Sequence, residues 1–461
     1  MPRTWAISGV DLHLDVNGPR VRAALETTLR EAVSNGRLRP GTRLPSSRAL
    51  AADLGMARNT VAEAYGQLAA EGWLSAVQGS GTRVAARVSA PGPAASSVER
   101  TARAPRYDLR PGSPDVSAFP RDAWLRAARR ALNRAPFAAL DYDDPRGRPE
   151  LRAALAEYLA RARGVRATPD SILVCSGFAQ ACWLLCQALR AGGSATLAIE
   201  EYGLPPLRAT AAACGLAVST LPVDGDGARL EFAGDADAVM LTPAHQFPLA
   251  VPLTADRRAA AVAWARAGER LIIEDDYAGE FRYDRHPLGA LQAHAPDRVL
   301  YAGTASKTLA PGLRLAWLVV PPALVEPLVA AKALADRHTG VIDQLTLAEL
   351  IASGGYDRHV RRSRLVYRRR RDRLIAVLSR DAPQARVSGI AAGLHALVTL
   401  PPGRTEDEVI ADAAERGLAV TGLATFAQSA STHTPALVVG YAKPPEHAFT
   451  GAMARLAAAL A

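Results

Sequence analysis

The chain has 461 residues, of which 49% are hydrophobic and 22% are charged, and it carries a formal net charge of +10. This length exceeds one ordinary hydrophobic core, so we expect two or three domains, and the composition excludes wholesale disorder. No apolar run reaches the roughly 18 to 20 residues that span a bilayer and no signal peptide is visible, so we predict a cytoplasmic protein without a membrane partner.

Residues 1–86 form the first predicted domain, with a helix-rich core over residues 19–86. Apolar residues recur at helical spacing from Val21 to Val33, and Gly36 should end that helix. The segment "PGTRLPSSRALAADLG" then predicts a short helix, and "MARNTVAEAYGQLAAEGWL" predicts a second, amphipathic one.

Cap and turn residues complete this domain. Ser46 and Ser47 are candidates for the N-cap of the short helix, which should end at Gly55. Gly79 and Gly81 lie within "SAVQGSGTRVAARV", a pattern typical of a two-stranded ribbon. Two helices joined by a tight turn and followed by a hairpin predict a winged helix-turn-helix.

The charges of this domain favour duplex DNA as its partner. Five arginines and one aspartate lie between Arg37 and Thr60, so this surface should attract phosphate. The second helix begins with an arginine and an asparagine, which can contact guanine and adenine edges. The alternative is a small helical dimerisation module with solvated arginines. The residues predicted to contact DNA are Arg43, Ser46, Arg48, Arg58, Asn59, Thr60, Gly79 and Gly81.

A linker separates this domain from a longer second one. Residues 87–106 are rich in Pro, Ala and Ser and show no periodicity. Over residues 107–461, short apolar runs such as "RLIIEDDYAGE" and "RVLYAGTASK" alternate with helical segments. This alternation predicts an α/β domain with a largely parallel sheet and ligands at the C-terminal ends of its strands. Residues from about 355 to 461 predict a smaller α+β subdomain.

Lysine is rare in this chain, which has only three, and Lys307 ends one of the apolar strands. The small residues of "GTASK" around it leave room for a flat ring. A lysine that forms a Schiff base with an aldehyde must be nucleophilic, and it needs surroundings that disfavour its charged form. Taken alone, the pattern favours an exposed loop lysine. Other segments change that interpretation.

A carboxylate for a pyridine nitrogen is available in "IIEDDYAGEF". Pyridoxal phosphate needs such a partner to keep its ring nitrogen protonated. Asp275 and Tyr277 end a strand two residues apart on one face, so one can reach the ring nitrogen and the other the ring hydroxyl. Taken alone, Asp275 is as easily a salt-bridged loop acid.

A phosphate site is predicted from "SGFAQA", residues 176–181, which lies between a strand and a helix. The backbone N–H groups near Phe178 and Ala179 would form an anion site at the helix N-terminus. Thr304 and Arg314 can add a hydroxyl and a guanidinium. By itself the segment is an ordinary βα turn, but the three features occur together in the expected order.

These motifs resemble known families. "PSSRALAADLGMARNTVAEAYGQLAAEGWLSAVQGSGTRV" resembles the winged-helix domain of the GntR superfamily. "SGFAQA", "PAHQFPLA", "EDDYAGEF" and "GTASKTLAPGLR" resemble fold-type I aminotransferases, and the whole chain resembles the MocR-type transcriptional regulators. The resemblance implies that pyridoxal 5'-phosphate forms a Schiff base with Lys307, beside Asp275 at the ring nitrogen and Tyr277 at the ring hydroxyl. The predicted cofactor contacts are Gly177, Phe178, Ala179, His245, Gln246, Asp275, Tyr277, Thr304, Ser306, Lys307, Arg314 and, from the neighbouring subunit of a dimer, Tyr142.

Three departures from the aminotransferase pattern bear on activity. In "EEYGLPP" the usual proline is Tyr202 and the usual aromatic is a leucine, and Ala250 replaces a loop glycine. Val438 stands where catalytic relatives place the arginine that pairs with the substrate carboxylate, so a zwitterionic amino acid should bind weakly. Arg208 and His433 are candidate replacements for that arginine.

An arginine-rich run, "RHVRRSRLVYRRRRDRL", spans residues 358–374. The favoured interpretation is a solvated helical face, partly directed at a partner subunit or a head domain. An auxiliary DNA-contacting track is the alternative.

The sequence therefore predicts a nucleoid-associated bacterial regulator that senses pyridoxal phosphate, an amino compound, or both. The family resemblance implies a head-to-tail homodimer, and two heads would favour an operator with repeated or palindromic half-sites. The first alternative is a working aminotransferase with a regulatory head. The second is a DNA-binding protein with a vestigial cofactor site. No metal site is predicted.

Overall fold

The computed structural model describes residues 6–7, 10–11, 21–77, 81–85, 105–283, 288–428 and 434–461. The chain divides into two compact units, Met1–Ala102 and Arg103–Ala461. None of the described helices combines the length and the apolar composition that crossing a bilayer requires. Gly79, His433 and most of the predicted linker lie outside the described residues.

The first unit has the order that the sequence predicts, with described helices followed by an antiparallel ribbon. The ribbon pairs Leu74 with Val84 and Val77 with Gly81. The winged helix-turn-helix is thereby confirmed. The elements of this unit are β1 (Ala6–Ile7), β2 (Val10–Asp11), α1 (Val21–Ser34), α2 (Ser47–Leu54), α3 (Arg58–Ala70), β3 (Leu74–Val77) and β4 (Gly81–Val84).

Local signals set the limits of α2. The Ser46 hydroxyl accepts a hydrogen bond from the Ala49 amide at 3.2 Å, which satisfies one amide of the first turn. Gly55 ends the helix in the left-handed conformation at φ 66°, where glycine carries no steric penalty. The buried Tyr65 of α3 donates its hydroxyl to the Pro45 carbonyl at 3.2 Å and so ties α3 to the entry of α2.

The second unit is built on alternating strands and helices. Its strands are β5 (Tyr107–Asp108), β6 (Ile172–Cys175), β7 (Thr196–Glu200), β8 (Ala217–Leu221), β9 (Val223–Asp224), β10 (Gly227–Ala228), β11 (Ala238–Leu241), β12 (Leu271–Asp275), β13 (Val299–Thr304), β14 (Ala316–Val319), β15 (Arg386–Ser388), β16 (Ala396–Thr399), β17 (Leu418–Ala419) and β18 (Ala436–Val439). Its helices are α4 (Arg121–Arg134), α5 (Pro149–Arg163), α6 (Phe178–Ala191), α7 (Pro205–Ala213), α8 (Ala255–Ala267), α9 (Pro322–Ala335), α10 (Val341–Ala352), α11 (Gly355–Asp381), α12 (Glu406–Glu415) and α13 (Glu446–Leu460).

A seven-stranded sheet organises this unit in the order β6-β14-β13-β12-β11-β7-β8. Strand β14 runs antiparallel to both of its neighbours, and the other pairings are parallel. Alternate strand residues pack on opposite faces: Ile273 lies with the α6 and α9 side chains, and Ile272 lies with those of α8. The predicted α/β fold with a largely parallel sheet is confirmed, and β7, β11, β12 and β13 end at one edge.

A smaller antiparallel sheet, β15-β16-β18, packs with the C-terminal helices. The start of the second unit joins this layer, because β5 pairs in parallel with β17 and Leu109 is buried in the same core. Helix α11 contributes the buried Tyr367, Leu374 and Leu378 to that core. The C-terminal layer thus contains residues from both ends of the unit, a feature that the sequence pattern did not indicate.

The cap on α2 provides a test of this local account. Ser46→Ala should destabilise α2 by about 1 kcal/mol, because the Ala49 amide loses its acceptor. The measurement is hydrogen exchange of the α2 amides in the intact chain. Ser47→Ala, one residue further along, is the matched control. Equal exchange in the two variants would contradict the assignment of Ser46 as the cap.

Candidate functional site

A cavity of about 280 Å³ lies at the carboxyl ends of the central strands. Its wall combines apolar side chains with a few ionisable ones, as small-molecule sites usually do. The lining residues are Gly112, Phe178, Ala179, Ile199, Glu200, Tyr202, Gly203, Leu204, Pro206, Leu207, Met240, Thr242, Phe247, Asp275, Tyr277, Thr304, Ser306, Lys307, Pro311, Arg314, Leu394 and His395. Most of the residues predicted as cofactor contacts therefore share this one cavity.

Lys307 enters the cavity from the turn after β13. Its ammonium donates a hydrogen bond to the Gly112 carbonyl at 2.5 Å. Burial lowers the pKa of the lysine, and the Asp275 carboxylate opposes that shift. Because a lowered pKa increases the fraction of neutral amine, this position favours nucleophilic attack on an aldehyde.

Asp275 ends β12 with its carboxyl group facing the same cavity. Burial raises its pKa to about 7, against the attraction of Lys307. The next residue, Asp276, points the other way and forms a buried ion pair with Arg163 at 2.7 Å. It also accepts a hydrogen bond from the Tyr301 hydroxyl at 2.9 Å. Asp275 is therefore the acid of this strand that remains available to a cationic ring nitrogen.

Tyr277 lies in the turn after β12 and lines the same cavity as Asp275. Its hydroxyl lies 2.8 Å from His245 Nδ1, so His245 orients the phenol. His395 packs against His245 with ring centroids 5.0 Å apart, and burial lowers the pKa of His395 to about 4. Burial also lowers the pKa of His245, so both imidazoles are neutral near pH 7.

Gln246 is buried, and its side chain makes hydrogen bonds within the protein. Its amide nitrogen donates to the carbonyls of Phe247 at 2.7 Å and Tyr202 at 3.0 Å, and to Glu200 at 3.2 Å. Neither His245 nor Gln246 is among the described residues that line the cavity, whereas Phe247 and His395 are. The expectation that His245 and Gln246 flank a ring stays a prediction.

The predicted phosphate site has the shape of an anion cradle. Gly177 precedes α6 at φ 86°, and a Cβ atom there would lie 2.5 Å from the Arg314 guanidinium. Arg314 itself adopts the left-handed conformation at φ 53° and donates to the Ser176 carbonyl at 2.9 Å. Backbone strain of this kind persists where surrounding contacts fix it. A guanidinium is therefore held directly against the glycine turn and the positive end of α6, and this donor set fits a phosphate group.

Two hydroxyl groups extend the cradle. Thr304 Oγ1 donates to Ser306 Oγ at 2.9 Å and accepts from the Ser306 amide at 3.1 Å. Both side chains line the cavity beside Lys307. Their mutual bonds fix the turn that presents the lysine.

A buried lysine that no sequence motif indicates supports the loop at Ser176 that leads into α6. Lys332 on α9 is fully buried and forms an ion pair with Asp336 at 2.5 Å. Gln180 joins them, donating to Asp336 at 2.6 Å and accepting from the Ser176 amide at 2.7 Å. The loop that begins α6 is thus fixed by an ion pair roughly 150 residues away in sequence, with no local motif to indicate it.

Glu200 is a second buried acid in the cavity that sequence reasoning missed. It ends β7 and accepts a hydrogen bond from Thr242 Oγ1 at 2.5 Å. Burial raises its pKa to about 7. The next residue, Glu201, is also a glutamate, so the sequence alone did not show which of the two faces the cavity.

Two of the departures from the aminotransferase pattern, Tyr202 and Val438, lie together in one cluster beside the cavity. Val438 on β18 is fully buried in an apolar cluster with Tyr202, Phe247, Leu423 and Phe426. The position of a carboxylate-binding arginine is therefore filled by hydrocarbon.

The proposed replacement for that arginine is engaged elsewhere. Arg208 on α7 donates to the backbone carbonyls of Ala427 at 3.3 Å, Gly203 at 3.4 Å and Phe426 at 3.5 Å. Burial lowers its pKa, and these bonds hold two loops together. The other candidate, His433, lies outside the described residues.

Tyr142 lies apart from the cavity of its own chain. It is 75% exposed, and its ring packs against Arg337 at 4.9 Å and against His338. Its predicted role concerns a neighbouring subunit and stays a prediction.

In the first unit, the residues predicted to contact DNA fall on the exposed side of the helix-turn-helix and ribbon. Arg43, Ser46, Arg48, Arg58 and Asn59 are exposed, and Thr60 is half-buried in the first turn of α3. Gly81 opens β4 at φ 85°, and the Arg43 side chain lies 3.2 Å from where a Cβ atom would be. The structure thus brings Arg43 beside the ribbon, while Gly79 lies outside the described residues.

Comparison with known families agrees with both units. Residues 21–84 match the family of bacterial regulatory proteins named gntR, and residues 112–432 match aminotransferase class I and II. A winged helix and an aminotransferase-type sheet on one chain define a DNA-binding transcriptional regulator with an aminotransferase-like effector domain.

Relatives of known name share this arrangement. The HTH-type pyridoxine biosynthesis transcriptional regulator PdxR of Corynebacterium glutamicum is 35% identical over 406 residues, covering 87% of this chain and 88% of the relative. The probable rhizopine catabolism regulatory protein MocR of Rhizobium meliloti is 32% identical, covering 88% and 86%. The chain belongs to the GntR family of bacterial regulatory proteins, among its MocR-type members.

Solved structures match the second unit. An archaeal alanine:glyoxylate aminotransferase has a TM-score of 0.70 at 25% identity, covering 77% of this chain and 90% of that one. LysN, an α-aminoadipate aminotransferase of Thermus thermophilus complexed with N-(5'-phosphopyridoxyl)-L-leucine, has a TM-score of 0.68 at 25% identity, covering 77% and 91%. The fold-type I assignment is confirmed, and the fold implies pyridoxal phosphate as the cofactor.

The raised pKa of Asp275 gives the ligand-free chain a specific pH dependence. Because protonation is favoured in the folded state, the buried carboxylate costs stability as the pH rises from about 4 to about 7. Asp275→Asn removes that cost, so relative to wild type the variant should gain stability over this range, by about 1.4 kcal/mol per pKa unit.

The measurement is thermal unfolding of cofactor-free protein at several pH values. Asp276→Asn is the matched control, and it should be destabilised throughout because it leaves Arg163 buried without its partner. If the unfolding temperatures of wild type and Asp275→Asn differed by the same amount from pH 5 to pH 8, the raised pKa of Asp275 would be contradicted.

Proposed function

We propose that this regulator binds pyridoxal 5'-phosphate at Lys307 and responds to it as a signal. The observation that carries the proposal is the convergence of Lys307, Asp275 and the Gly177–Arg314 cradle on one cavity. An amine of lowered pKa, a buried carboxylate and an anion cradle are the three groups that this cofactor requires.

Each residue has a separable task in binding. Lys307 supplies the amine, Asp275 stabilises a positive charge on the ring nitrogen, and Tyr277, oriented by His245, presents its hydroxyl to the ring oxygen. Arg314, Thr304 and the N-terminus of α6 hold the phosphate, with Ser306, Phe178 and Ala179 beside them. When bound, the cofactor supplies an aldehyde that condenses reversibly with primary amines.

The apolar surroundings of Val438 limit what else the site accepts. An α-carboxylate would face hydrocarbon there, and burying an unpaired charge is costly. The signal is therefore the cofactor itself, or the cofactor with an amine whose carboxylate is absent or distant. The name of the Corynebacterium relative, a regulator of pyridoxine biosynthesis, supports the first of these.

On the DNA side, we propose that two winged helices of a homodimer bind an operator with repeated or palindromic half-sites. Tyr142 supports a dimer, because it is 75% exposed and lies outside its own cavity. Each head would contact DNA through the same predicted residues, which are Arg43, Ser46, Arg48, Arg58, Asn59, Thr60 and Gly81. A cytoplasmic, nucleoid-associated location follows from this proposal.

Transamination is a second candidate function. The lysine, the ring-nitrogen carboxylate and the phosphate cradle are present, and these favour a half-reaction with an amine. The apolar replacement at Val438 opposes turnover of α-amino acids. A rapid and complete conversion by an amino acid and a keto acid would support this candidate over a purely regulatory role.

The test of the proposal is DNA binding to the region upstream of the chain's own gene, with and without pyridoxal phosphate. Wild type should shift its affinity by about 5- to 150-fold, the usual range of coupling between sites. Lys307→Ala should show no shift and no near-visible absorbance, and borohydride should fix no cofactor to it.

Lys443→Ala is the matched control, since Lys443 forms an ion pair with Asp108 in the C-terminal layer. This variant should behave as wild type. Cofactor that binds covalently to wild type without changing its DNA affinity would contradict the sensing role.

The winged helix makes a separate prediction. Arg58 begins α3 and is exposed, so Arg58→Ala should weaken binding to the operator by about 1–3 kcal/mol and relax its sequence preference. Arg37→Ala, outside the helix-turn-helix, should weaken binding without altering preference. Unchanged affinity and preference in Arg58→Ala would place the recognition surface elsewhere.

A further inference from the structure

Helix α11 carries most of the formal charge of the chain. It contains ten arginines and three aspartates, a formal net charge of +7 against +10 for all 461 residues. No part of the cofactor site explains this concentration. The arginines of α11 fall into two sets, one that makes contacts within the fold and one that does not.

One set of the arginines stabilises the fold. Arg370 is buried, where it pairs with Asp115 at 3.0 Å and with Glu446 at 2.8 Å. Arg364 donates to the Glu280 carbonyl at 2.9 Å, and Arg371 donates to the Gly389 carbonyl at 3.1 Å. These three side chains attach the helix to the sheet and to the C-terminal layer.

A second set makes no such contacts. All five of its side chains are exposed, and none has a hydrogen bond or an ion pair with any residue that the structure describes. We call this set the basic stripe. Its members are Arg361, Arg362, Arg368, Arg369 and Arg373.

The geometry of the stripe is continuous. With about 100° per residue, its members fall within an arc of roughly 140°, opposite the buried Val360, Tyr367 and Leu374. From Arg361 to Arg373 the stripe is about 18 Å long. Two other exposed residues, Leu365 and Asp372, lie within the same arc.

The stripe costs stability in the isolated unit. Arg369 and Arg373 are separated by four residues, as are the exposed Arg358 and Arg362, and like charges at this spacing destabilise a helix by about 0.2–0.5 kcal/mol per pair. Asp372, four residues after Arg368, offsets part of this repulsion, while among the described residues Glu446 is paired with Arg370 and Glu349 of α10 with Arg130. An external polyanion would relieve this repulsion.

We infer that the basic stripe is a second DNA-contacting surface, which binds the phosphate backbone of the duplex without reading its sequence. Duplex DNA carries one charge per about 1.7 Å of its axis, so the stripe matches a run of phosphates. Guanidinium groups bind phosphate oxygens in bidentate geometry. The chain belongs to a DNA-binding family, so duplex DNA is a polyanion that this protein meets in its function. The inference does not depend on the cofactor.

The experiment measures binding of the full chain to a mixed-sequence duplex over a range of salt concentrations. The variant replaces Arg361, Arg362, Arg368 and Arg369 with Gln. We expect its affinity at low salt to fall at least tenfold. The slope of log affinity against log salt should become shallower by about two to four, since each lost phosphate contact contributes about 0.9.

Two further variants separate the stripe from general effects of charge and folding. Replacing the same four arginines with Lys should retain most of the salt slope. The matched control, with an equal change in charge elsewhere in the second unit, replaces Arg190, Arg229, Arg266 and Arg298 with Gln.

Equal slopes in the Gln variant and the control would overturn the inference. So would a change in subunit association by the Gln variant without a change in slope, because the stripe would then be a protein interface. If the Gln variant fails to fold, Arg368→Glu alone provides the test, and an unaltered slope in that variant overturns the inference as well.

Discussion

The structure of the second unit depends on three consecutive acids at the end of β12, whose side chains point in different directions. Glu274 turns inward and accepts the amides of Leu291 and Gln292 at 2.8 and 2.9 Å. Asp276 turns away from the cavity to the buried Arg163. Because both neighbours are paired, the Asp275 carboxyl group lines the cavity with no hydrogen-bonded cation among the described residues, and burial raises its pKa. Three consecutive carboxylates thus fix the end of β12, hold the end of α5 through Arg163 and form part of a ligand site.

The sequence predicted those parts of the molecule whose determinants are local. Ser46, Gly55 and the positive-φ turn at Gly177 act within a few residues of themselves, so their patterns indicate the conformation directly. Lys307 and Asp275 were found because each ends an apolar run, and parallel strands bring such ends together. The resemblance to known families then supplied roles that spacing alone left open.

The parts that sequence did not predict depend on distant contacts. Lys332 supports the phosphate turn through Gln180, about 150 residues away in sequence, and no periodicity links them. Glu200 and Glu201 are adjacent and chemically equivalent in the sequence, and only the register of β7 against β11 sets which one is buried. The same holds for the wall of the cavity, which includes Phe247 and His395, far apart in sequence, but not the His245 of the motif.

A signal molecule can shift a regulator only if it stabilises one state more than another. In the ligand-free chain, Asp275 and Glu200 are both buried acids with pKa values raised to about 7, so their ionisation works against the closed cavity. A cationic ring nitrogen at Asp275 would convert that cost into an attraction. A phosphate would bind the guanidinium of Arg314, whose backbone is in the left-handed conformation. In the sensing role proposed above, the free energy that distinguishes two states would therefore lie in charges buried at the strand ends. Catalytic turnover is not needed to release it, and the hydrocarbon around Val438 is consistent with a site that retains its ligand for sensing.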